Sequence, residues 1–353
     1  MTFRAVAKRH PAPGGLELHK KELREVGPHE ALVEVAAAGI CGTDLEIWNW
    51  PTWLSSRMSP RLPVVIGHEF CGHVREVGSD VTSVGVGDYV SAESHISCGR
   101  CRTCKTGLAH ICENLEYVGV DIDGGFAEYA VLPVSVLRPL PASVPVDSAA
   151  MLEPFGLAVR AVLADGGVQG RSVLVTGLGP LGLMTMAAAR ASGAELVVGI
   201  ESSSYRLDLA REYAEEIGGP KVLSSDAADN ERQLRDWTAG RGVDVWLDYS
   251  GAEAALSFGL HGLAVGGQAR LMGMAHEPPA FDLSTAIMKE IGIRTFHGRD
   301  DSNSWPNAIR LLAERKVDLS RLVTHRLSLG EYNEAFDLLL HGQACKVLVE
   351  INP

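Results

Sequence analysis

The segment Val173-Leu-Val-Thr-Gly177-Leu-Gly179-Pro180-Leu181-Gly182 constrains this chain more than any other. The apolar run Val173–Thr176 reads as a strand and Leu181–Ser192 as a helix. A G-x-G-x-x-G turn between a strand and a helix is a phosphate cradle. Gly177 permits the tight turn, Gly179 lets backbone N–H groups approach a pyrophosphate, and Gly182 lets helix and strand pack closely. The helix N-terminus, opened by Pro180 and Leu181, favours the phosphate charge. Glu201 ends the next apolar strand, nineteen residues after Gly182. A carboxylate there accepts hydrogen bonds from ribose hydroxyls and repels a 2′-phosphate, so NAD is expected over NADP. The small residues Ser202–Ser204 leave some NADP tolerance open. Arg206 reads equally as a group flanking the adenine and as a solvated helix arginine.

Around this motif, strands alternate with helices. Leu196–Ile200, Val243–Tyr249, Gln268–Met272 and Ile291–Phe296 read as strands. Tyr205–Glu215 and Ala252–Ala264 read as helices, and Ser148–Leu163 as a helix that precedes the motif. This is the pattern of a doubly wound parallel sheet. The first 150 residues differ: short apolar runs (Ala31–Ala36, Val64–Ile66, Gly72–Val77, Tyr89–Ala92) lie between glycine turns. They imply a β-rich domain with long loops, so the fold class is α/β with two unlike domains. After the doubly wound part come two helices, Ser304–Arg315 and Leu329–His341, and a closing strand, Lys346–Ile351.

Four of the seven cysteines fall within fifteen residues, at Cys98, Cys101, Cys104 and Cys112. Four thiolates at this spacing can surround one tetrahedral zinc, and a closed shell of that kind is structural. An iron–sulfur cluster competes for the same spacing, but the dinucleotide motif downstream favours zinc. A second set is scattered: Cys41 in Cys-Gly-Thr-Asp, and His68 and Glu69 in Gly-His-Glu. Each fragment alone is weak evidence. Together they are the mixed donors of a catalytic zinc with one open position. Glu153 reads either as a helix first-turn acid or as a ligand exchanging with Glu69 or water.

The balance of charges narrows the partners. The formal net charge of -12 disfavours nucleic acid. The apolar stretches are too short to cross a bilayer, so no membrane partner is expected. Met1–Lys8 lacks the features of a signal peptide. With an odd cysteine count, that points to reduced thiols in the cytoplasm.

Over essentially the whole chain, these residues resemble the zinc-containing medium-chain dehydrogenase/reductase superfamily, and within it most closely the L-threonine 3-dehydrogenase branch. The carrying segments are Gly39-Ile-Cys-Gly-Thr-Asp-Leu-Glu-Ile-Trp-Asn-Trp50, Gly67-His-Glu-Phe70, Ser91-Ala-Glu-Ser-His-Ile96 and the four-cysteine loop. Gly119-Val-Asp-Ile-Asp-Gly-Gly-Phe-Ala-Glu-Tyr129, Glu153-Pro-Phe-Gly156, Gly298-Arg299 and Val323-Thr-His-Arg326 complete them. The resemblance implies a GroES-like catalytic domain over residues 1–155, completed by 297–353, and a Rossmann domain over 156–296. It implies a homotetramer, with one catalytic and one structural zinc per subunit. It implies Cys41, His68 and Glu69 on the catalytic metal, with Glu153 nearby. Thr43 would then pass the alcohol proton toward the nicotinamide ribose, and His95 would influence metal selectivity or substrate binding.

Two segments depart from that branch. Glu46 stands where it usually has histidine, and Leu157-Ala-Val-Arg160 stands where it commonly reads Asn-Ala-Val-His. Glu46 is expected to take over the proton relay, or else to pair with Arg160. The first functional expectation is oxidation of L-threonine to 2-amino-3-oxobutanoate. The alternative is a polyol, sugar or sugar-acid dehydrogenase, since Glu46 and Arg160 suit hydroxyls or a carboxylate. A non-enzymatic NAD(H)-binding regulator is the third reading, and the full set of metal donors argues against it.

Overall fold

The structure is a computed structural model of the 353-residue chain. It describes every residue except Trp53, Ser55, Ser56, Arg57, His276, Asp301 and Pro353. It divides into two compact units, Met1–Pro154 with Asp318–Pro353, and Phe155–Val317.

The first unit opens with an antiparallel hairpin of β1 (Thr2–Lys8) and β2 (Leu16–Glu22). The first of these strands is hard to see in the sequence, because β1 buries every residue after Arg4 and so hides its alternation. Next come β3 (Glu30–Gly39), α1 (Gly42–Asn49), β4 (Val64–Val65), β5 (Glu69–Val77) and β6 (Tyr89–Ala92). A small lobe follows, made of β7 (His95–Ile96), α2 (Arg102–Lys105) and β8 (Glu116–Tyr117). After β9 (Tyr129–Pro133) and β10 (Leu137–Pro139), α3 (Val146–Ala150) and α4 (Leu152–Leu163) stand where the sequence suggested one helix. The break at Met151 has a local cause. Pro154 lies in the first turn of α4, where its missing N–H costs nothing, whereas inside one long helix it would remove a hydrogen bond.

The second unit alternates strands and helices as the sequence implied. In order these are β11 (Ser172–Thr176), α5 (Pro180–Ala191), β12 (Leu196–Glu201), α6 (Ser204–Glu216), β13 (Lys221–Ser224) and α7 (Asn230–Trp237). They continue with β14 (Val243–Asp248), α8 (Glu253–Gly262), β15 (Leu263–Leu271), α9 (Leu283–Met288), β16 (Gly292–Thr295) and α10 (Ser304–Ala313). All six strands are parallel, in the order β13-β12-β11-β14-β15-β16. The order reverses between β11 and β14, which is the switch point where such sheets bind ligands. Val173, Val175, Val245 and Leu247 are fully buried, as expected for central parallel strands covered on both faces.

The chain then returns to the first unit with β17 (Val323–Ser328), α11 (Tyr332–Leu340) and β18 (Lys346–Glu350). Strand β18 pairs antiparallel with β3, placing Leu348 opposite Gly39. The main sheet of this unit therefore runs β10-β6-β5-β3-β18-β17, with β9 also on β3. Its core joins Val33, Val35 and Phe70 to Phe336, Val347 and Val349.

Candidate active site

Three donors meet at the end of the β3–β5 pair. Cys41 is the N-cap of α1, just beyond β3, and Glu69 opens β5. The register sets Gly39 opposite Glu69, so Cys41, His68 and Glu69 converge from neighbouring chain turns. Their ligand atoms all lie within 4.8 Å of one another. His68 is presented by Gly67, whose φ of +91° suits glycine and where a β-carbon would stand 2.5 Å from the Phe126 ring. The set mixes soft and hard donors and is buried on most sides, which suits a zinc ion with an open position.

Two neighbours that the sequence reading did not assign complete this group. Asp44 is fully buried; its carboxylate accepts the Cys41 N–H at 2.9 Å and the Gly67 N–H at 3.3 Å, and lies 3.7 Å from His68 Nδ1. An acidic partner of this kind orients a ligand histidine and raises its basicity. Burial disfavours the charged His68 ring, yet Asp44 and Cys41 together hold it well above the ordinary histidine range. Lys346 is also buried. Its ammonium contacts Glu69 Oε2 and donates to the Ile40 carbonyl at 2.9 Å. Apart from that contact, Glu69 Oε2 has no hydrogen-bond donor among the described residues. Asp44 was legible as the fourth residue of Cys-Gly-Thr-Asp. Lys346 had no local signal.

Thr43 and Glu46 both lie on α1, one helical turn apart and half-buried, so they share a face. Glu153 is buried, and its charge acts on His68, but it is not part of the three-donor group. His95 opens β7, where its Nδ1 meets the His110 carbonyl at 3.0 Å and its ring packs edge-on to Tyr117. A carbonyl only accepts, so Nδ1 carries the hydrogen of the neutral ring. Arg160 lies on α4 in the second unit and donates to the His297 and Gly298 carbonyls at 2.9 and 2.8 Å. It also pairs with Asp300 and stacks over Phe296. The structure thus uses this cation to hold the 296–300 segment.

The four cysteines of the lobe form the second donor group, again within 4.8 Å. The sulfurs of Cys101 and Cys104 are 3.4 Å apart, and those of Cys101 and Cys112 are 3.7 Å apart. A zinc–sulfur tetrahedron with arms of about 2.3 Å has edges of about 3.8 Å, so the cluster is close to the size required. The backbone N–H groups of Cys98 and Asn114 point at Cys112 Sγ, both at 3.3 Å. The Thr103 hydroxyl and backbone N–H groups hold Cys101 below the usual thiol range, favouring the thiolate that a metal needs.

In the second unit the glycine turn leaves β11 and enters α5. A β-carbon at Gly182 would stand 2.0 Å from the Gly177 carbonyl, so the helix can approach the turn only with glycine there. Gly179 is the N-cap of α5, with Pro180 and Leu181 as its first residues. The Glu201 carboxylate accepts N–H groups from Leu178 at 2.7 Å, Ser202 at 2.8 Å and Ser203 at 2.9 Å. It therefore ties the glycine turn to the end of β12, a role beyond the one anticipated. The Arg206 guanidinium lies over Gly179, 3.8 Å from where a β-carbon would be.

With this geometry in place, the likeness to known proteins is specific. Residues 27–142 match the alcohol dehydrogenase GroES-like domain family, and residues 180–314 the zinc-binding dehydrogenase family. The chain is 41% identical over 351 residues to an L-threonine 3-dehydrogenase of Pyrococcus horikoshii, covering 99% of each. The solved structure of 2R,3R-butanediol dehydrogenase from Bacillus subtilis superposes with a TM-score of 0.88 at 25% identity, covering 99% of this chain and 100% of that one. Galactitol-1-phosphate dehydrogenase from Escherichia coli superposes with a TM-score of 0.88 at 26% identity, covering 98% and 99% respectively.

Proposed function

Since the chain belongs to the zinc-binding dehydrogenases with a GroES-like alcohol dehydrogenase domain, we propose that it oxidises L-threonine to 2-amino-3-oxobutanoate with NAD. The observation that carries the substrate is 41% identity to a threonine 3-dehydrogenase over 99% of both chains, with the three-donor group intact.

In this reading Cys41, His68 and Glu69 hold the catalytic zinc, while Asp44 fixes the histidine. Zinc supplies Lewis acidity that brings a bound alcohol's pKa toward neutrality, and NAD supplies the hydride acceptor. Thr43 accepts the alcohol proton, and Glu46 receives it one helical turn away. Glu153 stands beside His68 as the exchanging carboxylate, and His95 shapes the substrate end of the site. Gly177, Gly179 and Gly182 cradle the pyrophosphate at the start of α5, helped by the backbone around Pro180 and Leu181. Glu201 and Arg206 flank the adenosine. A second, structural zinc is held by Cys98, Cys101, Cys104 and Cys112.

Residues 1–155 with 297–353 would form the catalytic domain and 156–296 the nucleotide-binding domain, whereas the compact units group Phe155 and 297–317 with the nucleotide-binding part. A homotetramer is supported by an open edge strand, β16, beside exposed Leu283, Ile287 and Met288. A cytoplasmic location is supported by seven cysteines without a disulfide among them, as thiolate ligands require. Among the described residues no helix is long and apolar enough to cross a membrane.

The second reading, a polyol or sugar-acid dehydrogenase, rests on Glu46 and on the butanediol and galactitol-phosphate enzymes of like fold. A panel of L-threonine, 2,3-butanediol, polyols and aldonic acids, scored by kcat/KM with NAD and NADP, decides between them. Threonine with NAD should lead. A polyol leading by tenfold would transfer the assignment to the second reading.

A further inference from the structure

The carboxylate of Asp248 sits fully buried at the C-terminal end of β14, and its hydrogen-bond donors among the described residues are all neutral. Oδ1 accepts the Thr176 hydroxyl at 2.6 Å and the Ser250 hydroxyl at 2.7 Å, and Oδ2 accepts the Gly251 N–H at 2.9 Å. Its backbone carbonyl accepts the N–H groups of Met272 and Gly273, both at 2.9 Å. One residue therefore ties the end of β11, where the glycine turn starts, to the loops after β14 and β15.

Two further contacts tighten this arrangement. The Tyr249 N–H donates to the Thr176 carbonyl at 2.9 Å, and the Thr185 hydroxyl on α5 donates to the Tyr249 hydroxyl. Ser250 faces the glycine turn closely, its nitrogen 3.1 Å from where a β-carbon of Gly177 would stand. Trp246 Nε1 also donates to the Thr176 hydroxyl at 2.9 Å, leaving that hydroxyl's hydrogen directed at Asp248.

All of this lies at the C-terminal ends of β11, β14 and β15, across the point where strand order reverses. Crevices for ligands in such sheets open there. A carboxylate sunk in the core with no ion-pair partner among the described residues is costly. Three of its four donors, the Ser250 hydroxyl, the Ser250 N–H at 3.2 Å and the Gly251 N–H, come from the loop after β14, and the fourth, Thr176, ends β11. We infer that Asp248 is a positioning residue of the dinucleotide site, fixing the glycine turn and the two neighbouring loops before the ligand arrives. The inference rests on the reading that the second unit binds a dinucleotide.

Asp248→Asn keeps the shape but replaces one acceptor oxygen by an NH2 group facing donors. NADH affinity, read by fluorescence titration of the zinc-loaded protein, should weaken by about tenfold or more. The KM for NAD should rise in step, with a much smaller change in the KM for the alcohol. Zinc per chain should not change, because both donor groups lie in the other unit. Thr176→Val, which removes a single donor, gives a milder version if the Asn variant fails to fold. Leu234→Ala, in the core of the same unit, serves as a control with lowered Tm. NADH affinity unchanged in the folded Asp248→Asn or Thr176→Val chain would overturn the inference. So would an equal loss of affinity in Leu234→Ala at matched Tm. A parent chain that binds no NADH would instead overturn the dinucleotide reading itself.

Discussion

At the scale of single residues, the Lys346–Glu69 pair decides how the three-donor group is held. Both side chains are buried, and Lys346 comes from β18, far along the chain from Glu69. Removing one partner of a buried pair leaves an uncompensated charge, which typically costs about 3–5 kcal/mol. Lys346→Met should therefore lower stability by about that amount, and adding Glu69→Gln should restore part of it. Urea unfolding of the three variants and the parent reads this directly. If the double variant is no more stable than Lys346→Met alone, the pair does not explain the loss. A second prediction concerns Glu46. If its carboxylate relays the proton from Thr43, Glu46→Gln should displace the acidic limb of the pH–rate profile. A profile superposing on the parent's would assign Glu46 a purely structural role. Cys41, His68 and Glu69 were legible only in combination, upstream of the four-cysteine cluster and the dinucleotide motif, since each fragment alone reads as a loop or a small buried residue. Lys346 was not, since a lysine entering an apolar strand reads as an edge residue until the strand's neighbours are known.

Helices and strands position those residues, and here Lys8 has the largest reach. It ends β1 fully buried, donating to the carbonyls of Ala12 at 2.6 Å, Gly14, and Trp48 at 3.3 Å. Trp48 lies in the last turn of α1, so this contact holds the helix that carries Thr43 and Glu46. Burial lowers the Lys8 pKa from 10.5 to about 8. Between those two values the unfolded chain binds more protons than the folded one, so this group makes stability rise with pH. Relative to Lys8→Met, the parent should gain stability from about pH 8 to 10.5, read as the difference in denaturant midpoints at each pH. A constant difference across that window would refute it. The four-cysteine lobe is a different kind of element, small and poor in regular structure. Cys101→Ser should lower both stability and zinc content while leaving the chemistry of the remaining zinc unchanged. Metal analysis with thermal unfolding checks this, and two zincs at full stability would refute a structural role. The lobe was plain in the sequence because ligand spacing is a local property. Helix α1 was hidden, because Gly-Thr-Asp at its start reads as a turn.

On the scale of the whole molecule, alternating strands and helices in residues 172–295 announced a parallel sheet, whereas the return of the last strands to the first unit rested on resemblance alone. Pairing of β18 with β3 joins segments some three hundred residues apart, and no local pattern encodes such a partner. The same limit applies to contacts between chains, where exposed surface is the evidence. Strand β16 ends the six-stranded sheet with one edge open. Its Ile293 is 46% exposed, and on nearby α9 Leu283, Ile287 and Met288 are 62%, 67% and 82% exposed. The one charge on β16, Arg294, is drawn to Asp165 and over the Phe296 ring, and the exposed apolar side chains beside the edge are what a long-lived monomer would normally cover. A second copy related by a two-fold axis would continue the sheet antiparallel through β16 and bury these side chains, as an isologous interface does. A stable interface needs roughly 800 Å² per partner, so a pair of charges within the patch should be enough to prevent it. Light scattering should therefore give the parent a mass that is a multiple of 37.7 kDa. Ile287→Glu combined with Ile293→Glu should shift that mass downward while leaving far-UV circular dichroism unchanged. If the variant keeps the parent's mass, subunits assemble through another face, and the exposed apolar side chains of α9 need a different explanation.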